Sequence, residues 1–99
     1  MNSHGKGRNA DAALYRAMLE LKTPEECYAF LEDLCTVSEQ MAMEQRYEVA
    51  CLLDEGSIYS EVLEKTGVSS ATVSRVKRAL NYGAGGYQLV LKRMKEHEE

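Results

Sequence analysis

The stretch from Tyr59 to Leu80 constrains this chain more than any other, because its pattern suits two short helices joined by a tight turn and little else. Gly67 sits where such a turn needs a residue that tolerates positive φ. Val68 follows it and can plug the angle between the helices. Ser69 is a good N-cap for the second helix, its hydroxyl accepting an otherwise unpaired backbone N–H. Val73, Val76 and Leu80 recur at i, i+3 and i+7 and make one apolar face. The remaining positions, Ser70, Ala71, Thr72, Ser74, Arg75, Lys77 and Arg78, are small near the start and basic further along. A helix that enters a DNA major groove needs this order: small polar side chains close to base edges, then cations for phosphates. The segment over about 58–81 reads as a helix-turn-helix, with Ser69, Ser70, Ala71, Thr72, Ser74, Arg75, Lys77 and Arg78 as the DNA-binding candidates.

Charge supports that reading only through its distribution. The 99 residues carry a net charge of −4, which on its face argues against nucleic acid. From Glu20 to Glu64, however, twelve acids face only Lys22 and Arg46, whereas from Gly67 to Lys95 there are six bases and no acid. An acidic body and a basic end are the expected footprint of a protein that meets DNA with one face. A charge run alone is as often just a solvated surface.

The flanking sequence is helical throughout. A first helix is expected from Asn9 or Ala10 to about Leu21. Thr23-Pro-Glu-Glu26 is a sharp helix start, with Thr23 as cap, Pro24 in the first turn and Glu26 completing a capping box. Cys27, Phe30, Leu31, Leu34 and Cys35 then follow an amphipathic spacing that places both cysteines in the core. A long helix is expected from Ser38, as cap, to Glu55, with Gly56 ending it and Arg46 pairing with Glu39 or Glu48. Its apolar residues cover more than one stripe, so a second subunit is expected to supply part of its surroundings. Asn81 to Gly86 reads as a flexible turn, since it lacks the lysine and the preceding strand of a phosphate loop. A last helix runs from about Tyr87 to Glu96. The expectation is an all-α domain over 10–99 of about six helices, behind a flexible N-terminal arm at 1–9.

Several chemistries are disfavoured. The histidines, His4 and His97, lie at opposite ends, and no C-x-x-C pairs the three cysteines, so a metal site is not expected. No Ser/His/Asp or Cys/His arrangement suggests an enzyme. The odd cysteine count points to reduced thiols in a cytoplasmic protein. No apolar run reaches the length of a membrane span, and the N-terminus lacks the apolar core of a signal peptide.

These elements together resemble the Trp repressor-like family, and more closely its YerC/YecD-type members. The resemblance rests on Gln45-Arg-Tyr-Glu-Val-Ala-Cys-Leu-Leu53, Tyr59, Thr66-Gly-Val-Ser-Ser-Ala-Thr-Val-Ser-Arg-Val76, Arg78, Leu80 and Gly83-Ala-Gly-Gly-Tyr87. It covers roughly Leu34 to Met94, and Ala71-Thr-Val-Ser-Arg75 is its most specific piece. The family implies an intertwined homodimer whose two reading helices enter successive major grooves of double-stranded DNA, about 34–36 Å apart. The small side chains at Ser69, Ser70, Ala71 and Ser74 would suit water-bridged readout.

The departures matter as much. Trp repressor holds its corepressor between two arginines. One matches Arg75, but Gln45 stands at the other, and Val76 replaces the glycine that leaves room for the indole. L-tryptophan is therefore not expected as a cofactor. Arg75 is left for a phosphate or base contact, or for an ion pair with an acid of the long helix. The expected function is a dimeric, sequence-specific DNA-binding regulator. The alternative is a helical protein-interaction module that keeps the motif only as structure. A third reading is a sensor whose DNA affinity responds to an unidentified small molecule between the reading helix and the long helix.

Overall fold

The computed structural model describes residues 9–98, so the expected arm at residues 1–9 falls almost wholly outside them. Six helices follow one another: α1 (Ala13–Met18), α2 (Pro24–Leu34), α3 (Val37–Asp54), α4 (Tyr59–Thr66), α5 (Ser70–Tyr82) and α6 (Gly86–Glu98). Among the described residues there is no strand, and the all-α expectation holds. The chain divides into two compact units, one up to Gln40 and one from Met41 onward.

The first unit is built by caps more than by a core. α1 is shorter than its apolar pattern suggested. Beyond Met18 the chain tightens into i→i+3 bonds, from Leu19, Glu20 and Leu21 to Arg16, Ala17 and Met18, the usual way a short helix frays into a turn. At α2 the Thr23 hydroxyl accepts the Glu26 N–H at 3.1 Å, and the Glu26 carboxylate accepts the Lys22 N–H at 2.8 Å. Pro24 occupies the first turn as the sequence suggests. Yet α2 has no buried residue. Cys27 is exposed and Cys35 only half-buried, which corrects the expectation that both are core thiols. The amphipathic stripe is real, but none of its side chains is fully buried. Leu19 (83%), Leu34 (53%) and Val37 (72%) remain exposed on this unit. Among its described residues the one buried side chain is Gln40, whose amide donates to the Tyr28 carbonyl at 3.2 Å.

α3 begins in the first unit and ends in the second. Its cap is Thr36 and not Ser38. The Thr36 hydroxyl accepts the Glu39 N–H at 3.1 Å, and the Glu39 carboxylate accepts the Thr36 N–H at 2.8 Å. Thr36-Val-Ser-Glu39 is a reciprocal capping box, which pairs two end donors where Ser38 could pair one. The same geometry occupies the Glu39 carboxylate. Among the described residues the single ion pair within 4 Å joins Lys95 to Asp54, so the expected partnership of Arg46 with Glu39 or Glu48 does not form. At its far end α3 stops as the sequence suggests. Gly56 takes φ +95°, its N–H bonds Leu53, and the Ser57 N–H reaches back to Leu52. This is a Schellman termination, which satisfies carbonyls the helix leaves open.

The second unit carries the core. Val49, Ala50, Val62, Val73, Val76, Leu80 and Leu91 are buried, drawn from α3, α4, α5 and α6. Each fully buried valine contributes on the order of 1.5–3 kcal/mol relative to exposure. α4 and α6 both pack on α5, so the apolar stripe of α5 is the centre of the unit. The Gln88 amide also donates to the Leu80 carbonyl at 2.7 Å, tying α6 to the end of α5.

Candidate nucleic-acid interface

The turn between α4 and α5 sets the attitude of α5. Gly67 adopts φ +70°, and its N–H closes α4 on the Leu63 carbonyl at 2.9 Å. The Thr66 hydroxyl donates to the Val62 carbonyl at 2.7 Å and accepts the Val68 N–H at 3.3 Å. Val68 packs against the core from the corner. Ser69 then caps α5, accepting the Thr72 N–H at 3.2 Å. At the start of α4 the Glu61 carboxylate accepts the Ile58 N–H at 3.0 Å. An isoleucine side chain has no acceptor, so only that half of a capping box exists here.

With its inner face fixed by Val73, Val76 and Leu80, the rest of α5 is forced outward by helical geometry. Ser69, Ser70, Ala71, Ser74, Arg75, Lys77 and Arg78 are all exposed, and the structure brings them together on one surface. Thr72 is the exception among the sequence candidates. It is half-buried, and its hydroxyl lies 3.1 Å from that of Ser69, inside the cap. Its place is to hold the start of the helix.

The electrostatics separate the six bases of the acid-free stretch. Lys95 lies 2.7 Å from Asp54. That carboxylate holds its ammonium above the usual lysine range, through the hydrogen bond first and the charge second. Arg75, Lys77 and Arg78 have no carboxylate within 4 Å among the described residues. Of the two roles left open for Arg75, an ion pair with the long helix is therefore not what the fold builds.

Sequence reasoning missed one member of this face. Ala71, Arg75, Arg78 and Tyr82 are spaced i, i+4, i+7 and i+11, so they line up along the outside of α5. Tyr82 is 84% exposed. The spacing is visible in the sequence, but Tyr82 reads there as part of the glycine-rich turn. Only the observed end of α5 places it on the helix.

Two hollows border α5. One, of about 500 Å³, is apolar and lined by Tyr47, Ala79, Ala84, Gly86, Tyr87 and Val90. Burial raises the Tyr47 phenol above its ordinary range, with the neighbouring Cys51 thiol adding to the effect. The other, of about 450 Å³, lies between the α3–α4 turn and the flank of α5 at Lys77 and Asn81. Val76 lies in neither and is 1% exposed; Gln45 is exposed on α3. No group of three or more metal-binding side chains occurs among the described residues, and none of their helices is long and apolar enough to cross a membrane.

Known proteins match this arrangement closely. The family model described as Trp repressor protein matches residues 11–95. The uncharacterized protein YerC of Bacillus subtilis (strain 168) is 48% identical over 93 residues, which is 94% of this chain and 88% of that protein. A crystal structure of a candidate Trp repressor from Staphylococcus aureus superposes with a TM-score of 0.83 at 43% identity, covering 89% of each chain. That of a TrpR-like protein from Eubacterium eligens ATCC 27750 gives 0.82 at 46% identity, covering 90% of this chain and 92% of that one. Matched in sequence and in backbone over nearly all of its helices, the chain belongs to the Trp repressor family, among its YerC-like members.

Proposed function

We propose that the protein is a homodimeric, sequence-specific DNA-binding transcriptional regulator that reads the major groove with α5. One observation carries this. The outer face of α5 holds Arg75, Lys77 and Arg78 without carboxylate partners among the described residues, beside the small side chains of Ser70, Ala71 and Ser74. Membership of a repressor family agrees with it. Arg75, Lys77 and Arg78 supply charge for phosphates, and Ser69, Ser70, Ala71 and Ser74 lie nearest the bases. Thr72 contributes through the cap. Dimerisation is supported by the first unit, whose apolar side chains, among them Leu34 and Val37, stay exposed in the single protomer. Tryptophan plays no part in this reading, because Val76 occupies the glycine position and is itself packed into the core.

Selection of bound sites from a random duplex library tests the proposal, followed by salt titration of Arg75→Ala combined with Arg78→Ala. The wild type is expected to enrich a palindrome and to bind with a steep salt dependence. The double variant removes two phosphate contacts per protomer, four per dimer. Its slope of log affinity against log salt should be shallower by about 3.6, and binding should be lost near physiological salt. Circular dichroism and oligomeric state should not change, since both side chains are exposed. Wild-type affinity in the double variant would refute the reading-helix assignment. Failure of the wild type to enrich any site at low salt, with a protein co-purifying instead, would favour the interaction-module reading.

A further inference from the structure

We infer that Tyr82 is a phosphodiester contact, a neutral clamp at the far end of the reading helix that grips the DNA backbone. The inference rests on the DNA-binding reading and adds to it a residue with a different chemistry.

Three observations lead there. First, Tyr82 lies on the same line of α5 as Ala71, Arg75 and Arg78, and it is 84% exposed. An aromatic side chain so open, on a face otherwise made of small and cationic residues, serves nothing in the core of this protomer. Second, distance separates it from the bases. Eleven residues of helix span about 16 Å, and the major groove is about 12 Å wide. With the start of α5 at the base edges, its last residue lies at or past the phosphate wall. Side chains on a helix lean toward its N-terminus, so the phenol is carried back toward Arg78 and the groove edge. Third, the chain leaves immediately. The Gly83 N–H closes the helix on the Ala79 carbonyl at 2.9 Å, and a Cβ on Gly83 would come within 2.4 Å of that oxygen. Gly83, Ala84, Gly85 and Gly86 follow with almost no side chain, so nothing local covers Tyr82 and a DNA strand can approach closely.

A phenol is a neutral donor, and this decides the test. Its hydroxyl can donate to a phosphate oxygen, a contact that positions the protein and carries no base information. It neutralises no charge, so it releases no counterion. The wild type, Tyr82→Phe and Arg78→Ala are titrated on a selected duplex and on an unrelated one, each at several salt concentrations. Tyr82→Phe is expected to weaken binding about ten-fold on both duplexes with the salt slope unchanged. Arg78→Ala is expected to flatten the slope by about 0.9 for each phosphate that is no longer neutralised. Wild-type affinity in Tyr82→Phe, with Arg78→Ala still impaired, would overturn the Tyr82 contact and leave the reading helix standing. A loss confined to the selected duplex would overturn the phosphate assignment in favour of a base contact. Sedimentation of Tyr82→Ala provides a further check. A dimer that falls apart there would place Tyr82 at a subunit contact and overturn the inference. If the wild type bound neither duplex, the DNA reading and this inference would fall together.

Discussion

The exposed apolar side chains of the first unit make dimerisation the most consequential thing to measure, and dilution is the cleanest perturbation. A folded dimer that unfolds to two chains loses stability on dilution by mass action. A hundred-fold dilution removes RT ln 100, or about 2.7 kcal/mol. Unfolding entropy near 60 °C is about 2.1 cal/mol/K per residue. Two chains of 99 residues therefore give about 0.4 kcal/mol/K. The expected fall in Tm is about 6 °C, against none for a monomer. Leu34→Ala sharpens the comparison. Leu34 is 53% exposed in the protomer, so in a monomer its truncation costs about 1 kcal/mol, half of a full leucine burial. On a chain of this length that lowers Tm by about 5 °C. Covered by a partner it becomes a core truncation worth about 2–5 kcal/mol in each protomer. Spread over the dimer's unfolding entropy, the loss is about 10–25 °C. Calorimetric melts across the dilution series, with sedimentation equilibrium on the same samples, read both effects. A Tm independent of concentration, with a Leu34→Ala shift near 5 °C, would refute the dimer argument.

Two glycines and one arginine give further measurable outcomes. Gly67→Ala should cost about 1 kcal/mol, because a Cβ there meets nothing within 4 Å and only the left-handed backbone at φ +70° is penalised. Gly83→Ala should cost about 2 kcal/mol or more and weaken DNA binding, because its Cβ would strike the Ala79 carbonyl at 2.4 Å and break the bond that ends α5; urea midpoints that ranked the two variants the other way would contradict this. Titration calorimetry with L-tryptophan should show no micromolar binding, and a saturable signal abolished in Arg75→Ala would overturn the assignment of Val76 as a pocket-filling residue.

The sequence makes some of this legible and hides the rest for identifiable reasons. Local chemistry is readable wherever a side chain acts on its own backbone. Thr23 and Ser69 cap their helices, Gly56 and Gly67 take positive φ, and Val73, Val76 and Leu80 point inward, all as their spacing suggests. The Thr36–Glu39 capping box obeys the same local rule, but a threonine just after an apolar stripe looks like the end of the preceding helix, so Ser38 reads as the cap in its place. Periodicity locates apolar faces but does not say what meets them. It places Cys27 in a core, whereas Cys27 is exposed and no side chain of α2 is buried.

The helix-turn-helix, the six-helix order and the acid-free basic end were determined by the sequence itself, because each depends on residues only a few positions apart. Pairing across space was not. Only the tertiary structure decided that Lys95 answers Asp54 while Arg75, Lys77 and Arg78 stay free of carboxylates among the described residues. Thr72 beside the Ser69 cap and the run of α5 on to Tyr82 are local features again, and they become visible only once the helix is formed. An ion pair needs two side chains within a few ångströms, and residues far apart in the chain meet only once the helices between them have packed.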